Sequence, residues 1–371
     1  MKILLPKLIT RFNYTAEPTV DSLACVWKRT FIHISLVTGY LPVCFFFKTK
    51  MTTPFARFLL SETGRQTCGF LGLTASFAAF LGSSLPHTYL LYKYKEIVQF
   101  YEDAMPIDLN PEVADRAKEV LEATTLSPSR KANVRFFPVA LLDTFFAGST
   151  VAVRGAEIGL PITFGYKKVE DIKTSNLSIR NVMEPMWNTR EAQQLKDSLI
   201  LSEKAQKFAI AREIYWCNTY YVHLHSLMLS FSVANCYVLS RLLNDRFQLL
   251  QRVPRKARVL MYGLVAAFNA TVYICVKDTS SQYWDKKADE SAAALGREYA
   301  EGGVEYYQKT LQKNRALREL MGKAGEKTYT SKGNINRIFR TDHLPLTYRL
   351  DCLMNQVKSW GNEETKDQVL A

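Results

Sequence analysis

Residues 214–276 decide the fold: IYWCNTYYVHLHSLMLSFSVANCYVLS (214–240), RLLNDRFQLLQRVPRKAR (241–258) and VLMYGLVAAFNATVYICV (259–276). The first and last pieces contain no Asp, Glu, Lys or Arg, whereas the middle piece carries six basic residues and one acid. A helix needs about 20 apolar residues to cross the core of a bilayer. The stretch therefore predicts two transmembrane helices joined by a basic loop.

A third charge-free run, TCGFLGLTASFAAFLGSSL at residues 67–85, precedes this hairpin. Apolar runs of this length are also compatible with buried helices in the core of a soluble protein. The cations Arg258 and Lys277 bracket the last run and favour the membrane interpretation. We therefore predict three spans, at 67–85, 214–240 and 259–276, and the lipid bilayer is the first expected partner of the chain.

The second run is less apolar than the other two. Its polar groups must face another helix or water rather than lipid; they are Asn218, His223, His225 and Asn235. Aromatic residues cluster at its N-terminal end and are typical of a belt at the membrane surface: Tyr215, Trp216, Tyr220 and Tyr221. We therefore predict a second span that begins near residue 214 and contacts another helix or a water-filled space.

The basic residues predict the orientation of the spans. Loops rich in Lys and Arg stay on the side from which a membrane protein is inserted. The loop 241–258 and the N-terminal flank of the first span are therefore predicted on the inside. Residues 86–213 and 277–371 are predicted to share the opposite side.

The N-terminal part offers two alternative starts. Residues 51–66, MTTPFARFLLSETGRQ, carry two arginines and one acid, a composition typical of mitochondrial targeting segments. Residues 31–47 form another apolar stretch, which is either a fourth span or part of an artefact of an upstream start codon. We favour the second interpretation and treat residues 1–50 as an N-terminal extension.

The soluble segment between the first two spans mixes helical and strand patterns. Residues 110–125 predict a helix with Asn110 as its N-cap and Pro111 at its first position. Residues 134–164 predict short strands, because they contain short runs rich in Val, Phe and Thr. A long helix is predicted to start after Asn188 or Thr189 and to continue into the second span.

The tail predicts a helix over residues 281–320, in which Gly302 and Gly303 mark a kink or a close helix contact. A short last helix is predicted after Pro345. The fold class that results is α+β: a predominantly α-helical integral membrane protein with about three transmembrane helices and a small mixed α/β soluble part.

Motifs of known chemistry do not occur in the sequence. The five histidines never take the spacing of a zinc pair, and the seven cysteines form no CxxC pair or disulfide framework. No P-loop, dinucleotide fingerprint or GxSxG elbow occurs. We therefore predict no enzyme, no metal and no cofactor. Nucleic-acid binding is not predicted either, because acids neutralise many of the basic residues and aromatics are not interleaved with them on one face.

Ten short strings resemble the transmembrane protein 177 family: LS (201–202), AQKFA (205–209), ARE (211–213), GGVE (302–305), LR (317–318), GK (322–323), GEK (325–327), YT (329–330), GNI (333–335) and HLP (343–345). The resemblance runs from Met51 to about Leu353 and is weakest around residues 93–135. It implies a mitochondrial inner-membrane scaffold that supports biogenesis and stability of cytochrome c oxidase subunit 2. With the matrix as the inside, the charge rule then predicts that the basic loop faces the matrix. The implied partners are this subunit, its membrane assembly chaperone and its metallochaperones.

The layout is also similar to that of HtpX-type membrane zinc metallopeptidases, which place an HExxH helix before a membrane hairpin and a glutamate ligand after it. Here Arg212-Glu213 stands before the hairpin, Glu305 follows it, and Thr341–Pro345 precedes Arg349. Arg212 stands where the first histidine would be, and zinc hydrolysis needs about three protein ligands. The alternative function is therefore a catalytically inactive relative with another quality-control role, or an enzyme with an unrecognised site. Stoichiometric zinc in the purified protein would favour a peptidase.

Two places are candidates for contacts with a partner. The third span offers small residues that permit close helix approach: Gly263, Ala266, Ala267 and Ala270. The tail offers glycines, aromatic residues and cations, and tyrosine and arginine often anchor interfaces: Gly302, Gly303, Tyr307, Arg318, Tyr329, His343 and Pro345. The alternative in each case is internal packing, of the spans with one another or of the aromatic residues in the core.

Overall fold

Three long apolar helices form the membrane part of the described chain. The computed structural model describes residues 54–102, 105–172, 187–337 and 340–370, so the predicted apolar stretch 31–47 lies outside the described residues. Within them, the helices long and apolar enough to cross a bilayer are Glu62–His87, Tyr221–Phe247 and Arg255–Ala293. The prediction of about three transmembrane helices is confirmed.

The elements follow one another in this order: α1 (Pro54–Leu60), α2 (Glu62–Ser84), α3 (Leu91–Val98), β1 (Tyr101–Glu102), β2 (Met105–Pro106), α4 (Pro111–Ala123), α5 (Pro128–Lys131), β3 (Val134–Val139), β4 (Phe145–Gly148), β5 (Ala156–Pro161), α6 (Arg190–Leu199), α7 (Glu203–Cys217), α8 (Tyr221–Phe247), α9 (Leu249–Arg252), α10 (Arg255–Ala293), α11 (Arg297–Leu320), α12 (Lys323–Thr328) and α13 (Leu346–Leu370). Short 3-10 turns follow α2 and β5. Helices α2, α8 and α10 contain the spans, and α8 packs against both of the others.

The second span begins at Tyr221 and not near residue 214 as predicted. Helix α7 ends at Cys217, and Asn218 caps it while its side chain accepts hydrogen bonds from Arg130 and Thr150. Ile214, Trp216 and Cys217 are buried in the soluble part. The predicted aromatic belt is therefore wrong for Trp216 and Tyr221, which pack inside the protein, whereas Tyr220 is exposed.

Polar side chains of α8 face α10. The amide of Asn235 donates to Asn269 Oδ1 at 2.7 Å, and His225 Nε2 lies 3.0 Å from Ser280 Oγ. The prediction that these groups face another helix is confirmed for Asn235 and His225. Asn218 lies outside the span, in the turn before α8, and His223 is exposed.

The soluble domain is built around a three-stranded sheet with the order β3-β5-β4. Strand β3 is parallel to β5, and β4 is antiparallel to it. Helix α4 begins at Pro111, and the Asn110 side chain caps it by accepting the N–H of Glu112. The predictions of this helix and of strands within 134–164 are confirmed. Apolar residues of β5, α4, α7 and α11 form the core of the domain.

The long helix predicted from Asn188 or Thr189 is wrong, because the chain forms three helices there. Thr189 caps α6 through the N–H of Ala192, and Ser202 caps α7 through the N–H of Ala205. Each cap satisfies a backbone donor that a helix start leaves free. The chain therefore turns twice before it enters the second span.

In the tail, the helical stretch breaks at Gly296 and runs unbroken through Gly302 and Gly303. The glycine pair therefore marks a close helix contact and not a kink. The last helix begins directly after Pro345, as predicted, but its 25 residues make it a long helix. It packs on α11, which in turn packs on α7, so the segments before and after the hairpin form one domain.

Candidate functional site

Five charged side chains meet inside the soluble domain, where α7, α10 and the start of α13 come together. We call this group the charge cluster; its members are Arg212, Glu213, Asp285, Asp289 and Arg349. Asp285 is 0% exposed, and Glu213, Asp289 and Arg349 are also buried. Asp285 lies nine residues beyond Val276, which is about 13 Å along a helix axis. The cluster therefore lies past the apolar run of α10 and inside the domain.

Asp289 is the best-bonded carboxylate of the charge cluster. Arg349 donates to it twice, from Nε to Oδ2 at 2.6 Å and from Nη2 to Oδ1 at 2.6 Å. The hydroxyl of Tyr307 donates to Oδ1 at 2.7 Å, and the Arg349 guanidinium lies over the Tyr307 ring at 4.9 Å. Paired hydrogen bonds of this kind are among the stronger ones in proteins. They tie α10, α11 and α13 together.

Asp285 joins α7 to the segment before α13. Its Oδ1 accepts the indole N–H of Trp216 at 3.0 Å, and its Oδ2 lies 2.8 Å from Nδ1 of His343. The backbone N–H of Leu344 also donates to Oδ2, at 3.3 Å. His343 is half exposed, so it links the buried carboxylate to the domain surface.

Arg212 lies between the carboxylates. Its Nη1 donates to Glu213 Oε1 at 2.7 Å, and its guanidinium lies 3.5 Å from Asp289 and 3.8 Å from Asp285. Thr144, next to β4, donates to the same Glu213 oxygen at 2.6 Å. The other oxygen, Oε2, is buried and has no partner among the described residues. Arg212 thus bridges the helix before the hairpin and the helix after it.

The pKa values of the groups around the cluster keep them in one protonation state. Burial raises the pKa of Tyr307 well above its usual value, so its hydroxyl keeps its proton and donates to Asp289. Burial by itself would lower the pKa of Arg212, but Glu213 and Asp289 raise it well above the usual value. Tyr307 and Arg212 therefore keep their protons around neutral pH.

These contacts favour a structural role for the charge cluster. Among the described residues, no group of three or more His, Cys, Asp or Glu side chains is placed to hold a metal ion. The Arg212 guanidinium occupies the space between the carboxylates instead. A pocket beside the cluster, lined in part by Thr144, Tyr306 and Lys313, has a volume of about 20 Å³, enough for about one water molecule. A cluster of this form holds elements together and offers little room for a substrate.

The small residues predicted as partner contacts lie on the outer face of α10. Gly263, Ala267 and Ala270 are exposed, as is Ala266. No described atom lies within 4 Å of a Cβ placed on Gly263. These residues therefore do not join the spans of the chain to one another, and their contact with a partner stays a prediction.

Three of the predicted contact residues lie inside the domain. A Cβ on Gly302 would lie 2.2 Å from the carbonyl oxygen of Lys204, and a Cβ on Gly303 would lie 2.7 Å from Leu353. Tyr307 is buried against the charge cluster. All three hold α11 to its neighbours, so they do not form a surface for a partner in this structure.

The other predicted residues of the tail are spread over the domain. Arg318 pairs with Glu319 at 2.8 Å and with Glu326 at 3.8 Å. Tyr329 is half-buried and pairs through its backbone with Ile335. Pro345 is exposed before α13. Of the predicted contact residues, the structure places His343 and Tyr307 beside the charge cluster and the others elsewhere.

Sequence reasoning missed both aspartates of the cluster. It placed the acidic group after the hairpin at Glu305, but Glu305 accepts hydrogen bonds from the N–H and the hydroxyl of Ser202, at 3.0 and 2.5 Å, at the start of α7. The available signal was the spacing of Asp285 and Asp289 on one helix face, four residues apart and beside Ala288 and Ala292. Acids on a face that is otherwise apolar indicate buried partners.

A bundle of three spans joined through buried ion pairs to an α+β domain defines a polytopic membrane protein with one soluble domain. The chain matches the sequence model of the family described as Transmembrane protein 177 over residues 76–366. It is 30% identical to Transmembrane protein 177 of Danio rerio over 280 residues, which cover 74% of this chain and 88% of that protein. It is 30% identical to the Homo sapiens protein of the same name over 269 residues, covering 72% and 85% of the two chains. This chain therefore belongs to the transmembrane protein 177 family. No solved structure matches it.

Proposed function

We propose that this chain is a scaffold of the mitochondrial inner membrane that supports biogenesis and stability of cytochrome c oxidase subunit 2. Its partners would be this subunit, the subunit's membrane assembly chaperone and the metallochaperones. Membership of the transmembrane protein 177 family supports the proposal. The structural observation that carries it is the outer face of α10: its small residues are exposed, and no described atom lies within 4 Å of a Cβ placed on Gly263.

Small residues on a lipid-facing helix allow the backbone of a second helix to approach closely. Close packing of this kind drives helix association in a bilayer, where the hydrophobic effect does not favour contact with a helix over contact with lipid. Gly263, Ala267 and Ala270 recur at spacings of four and three residues and therefore share one face. A transmembrane helix of a newly made partner would pack on this face. The Arg212 guanidinium, which lies between the carboxylates of the charge cluster, supports a binding role rather than a catalytic one.

The orientation that we propose puts the basic loop 241–258 in the matrix and the soluble domain in the intermembrane space. The six cations of that loop support it through the charge rule. The packing of the segments before and after the hairpin into one domain supports placing both on the same side.

The orientation predicts how a C-terminal tag responds to protease. In intact mitochondria the tag is expected to be protected, and in mitoplasts, whose outer membrane is open, it is expected to be degraded. A tag on residues 241–258 is the matched control, and it should stay protected in mitoplasts. Protection of the C-terminal tag in mitoplasts would contradict the proposed orientation and would indicate that the soluble domain lies in the matrix.

The scaffold proposal predicts that subunit 2 copurifies with this chain. Newly made mitochondrial translation products are labelled, mitochondria are solubilised in digitonin, and the tagged chain is captured. We expect labelled subunit 2 in the captured fraction. A clean capture that lacks subunit 2 would contradict the scaffold function for this chain.

Two variants locate the contact in the same experiment. G263L combined with A270L fills the small-residue face and is expected to remove most of the captured subunit 2. F268L is the matched control, because Phe268 is exposed on the same helix but lies about 100–160° around the helix from Ala267, Gly263 and Ala270. All three substitutions introduce a good helix former, so the helix itself should persist. Equal capture by G263L/A270L and F268L would place the contact outside the small-residue face.

A further inference from the structure

The three spans meet the soluble domain at one common level. At the end of the first span, the His87 ring lies 5.9 Å from the ring of Tyr221, the first residue of α8. One turn further along α8, His225 contacts Ser280 just beyond the apolar run of α10. The surface of the bilayer therefore passes close to His87, Tyr221 and Ser280.

The loop between β4 and β5 is fixed at this level. The Ser149 hydroxyl donates hydrogen bonds to the backbone carbonyls of Cys217 and Thr219, at 3.0 and 2.7 Å. The N–H of Thr150 also donates to the Cys217 carbonyl, at 3.1 Å. These three bonds hold the loop against the turn that leads directly into α8. The loop therefore lies where the second span enters the bilayer.

The tip of this loop carries an aliphatic side chain that the protein leaves uncovered. Val153 is 84% exposed, and Arg154 beside it is exposed with no ion pair among the described residues. Gly148 and Gly155 hold the two ends of the loop with φ angles of 78° and 77°, a conformation that favours glycine. The loop is thus a fixed turn that projects one apolar and one cationic residue.

Exposed tyrosines lie next to the ends of the spans that meet the soluble domain. Tyr89 and Tyr92 follow the first span, and Tyr220 precedes the second; all three are more than half exposed. Tyrosine is enriched where a membrane protein crosses from the hydrocarbon core to the headgroups. The positions of these three residues are those expected of an interfacial aromatic belt, which the sequence had placed partly on Trp216 and Tyr221.

We propose that the β4–β5 loop inserts Val153 into the headgroup layer of the bilayer, with the Arg154 guanidinium on a lipid phosphate. The occupant of this surface is lipid, because the loop continues the surface on which the spans enter the membrane. Arginine pairs well with phosphate oxygens. The insertion would hold the soluble domain down on the membrane beside the point where the second span enters. It does not depend on the scaffold function.

The test uses the purified full chain in vesicles that contain no other protein. Val153→Cys is labelled with an environment-sensitive fluorophore in a background where every cysteine except buried Cys217 is serine. The vesicles contain phosphatidylcholine and an anionic phospholipid, and a fraction of the lipid carries a nitroxide quencher just below the headgroup. We expect a blue-shifted emission and strong quenching at V153C.

The matched control is Glu203→Cys at the other end of α7. Trp216 contacts Asp285 and Arg212 contacts Asp289, so α7 is antiparallel to α10 and runs toward the membrane, with its N-terminal end farthest from the bilayer. Glu203 lies about 21 Å along the axis from Cys217. We expect little quenching at E203C. Equal quenching at the two sites would overturn the insertion, whether or not subunit 2 binds this chain.

The charge reversal Arg154→Glu in the V153C background tests the phosphate contact. It is expected to reduce the quenching, and more so when anionic lipid is present. Unchanged quenching in both lipid mixtures would overturn the role of Arg154. Blue-shifted emission without quenching would mean that the loop is covered by protein and not by lipid, and would overturn the proposal.

Discussion

Replacing Asp289 with leucine is expected to lower the free energy of unfolding of the soluble domain by about 3–5 kcal/mol. The substitution leaves Arg349 buried with no carboxylate on either of its donating nitrogens, and removing one partner of a buried ion pair typically costs this much. It also removes the acceptor of the Tyr307 hydroxyl. The measurement is chemical or thermal unfolding of the purified chain in mild detergent.

A double-mutant cycle separates the loss of the pair from the loss of packing. Arg349→Met alone is expected to be destabilising, but D289L with R349M should recover much of the stability, because a buried ion pair can often be replaced by apolar residues of similar volume. The exposed pair Lys204–Glu301 is the matched control, and Lys204→Met should cost less than about 1 kcal/mol. Additive losses in the cycle would show that Asp289 and Arg349 do not act as a pair.

Replacing Gly302 with alanine is expected to destabilise the domain by about 2 kcal/mol or more, although alanine is the better helix former. The new Cβ would lie 2.2 Å from the Lys204 carbonyl oxygen and 2.9 Å from the N–H nitrogen of Ala205. These are backbone atoms at the start of α7, so α11 and α7 must move apart. The melting temperature of the domain reports the loss.

Gly263→Ala is the matched control for this substitution. Gly263 is also in the middle of a helix, but no described atom lies within 4 Å of its new Cβ, so the change should be neutral or slightly stabilising. Gly303→Ala should fall between the two, because its Cβ meets side chains of Leu353 and Phe208 rather than backbone. Equal melting temperatures for G302A and G263A would contradict the close contact of α11 with α7.

The parts of the fold that the sequence predicts are those that local chemistry determines. Asn110 followed by proline defines the start of α4, and the charge-free runs define the cores of the spans. The turn at residues 218–220 was missed for a physical reason. An apolar run looks the same whether lipid or protein surrounds it, and the partners of Asn218 are Arg130 and Thr150, distant in sequence.

The charge cluster was missed for a similar reason. Its members come from α7, α10 and α13, and the pairing of Arg349 with Asp289 spans 60 residues of chain. Sequence reasoning did draw attention to Arg212, Glu213, His343 and Arg349, but it had no means of bringing them to one point. The glycine pair of α11 was recognised, yet only the packing against α7 decides between a kink and a close contact.

Helix α10 is a single rod of 39 residues, about 58 Å long, that starts in the basic hairpin and ends in the middle of the soluble domain. Because it is continuous, a tilt of its membrane-spanning part would also displace its far end. A tilt of roughly 10° about its first turn would move its far end by roughly 10 Å over this length. Asp285 and Asp289 lie near this far end. A neighbouring helix that changes the tilt of α10 in the bilayer would therefore displace them relative to Arg212 and Arg349. Events inside the membrane can thereby be transmitted to the domain outside it.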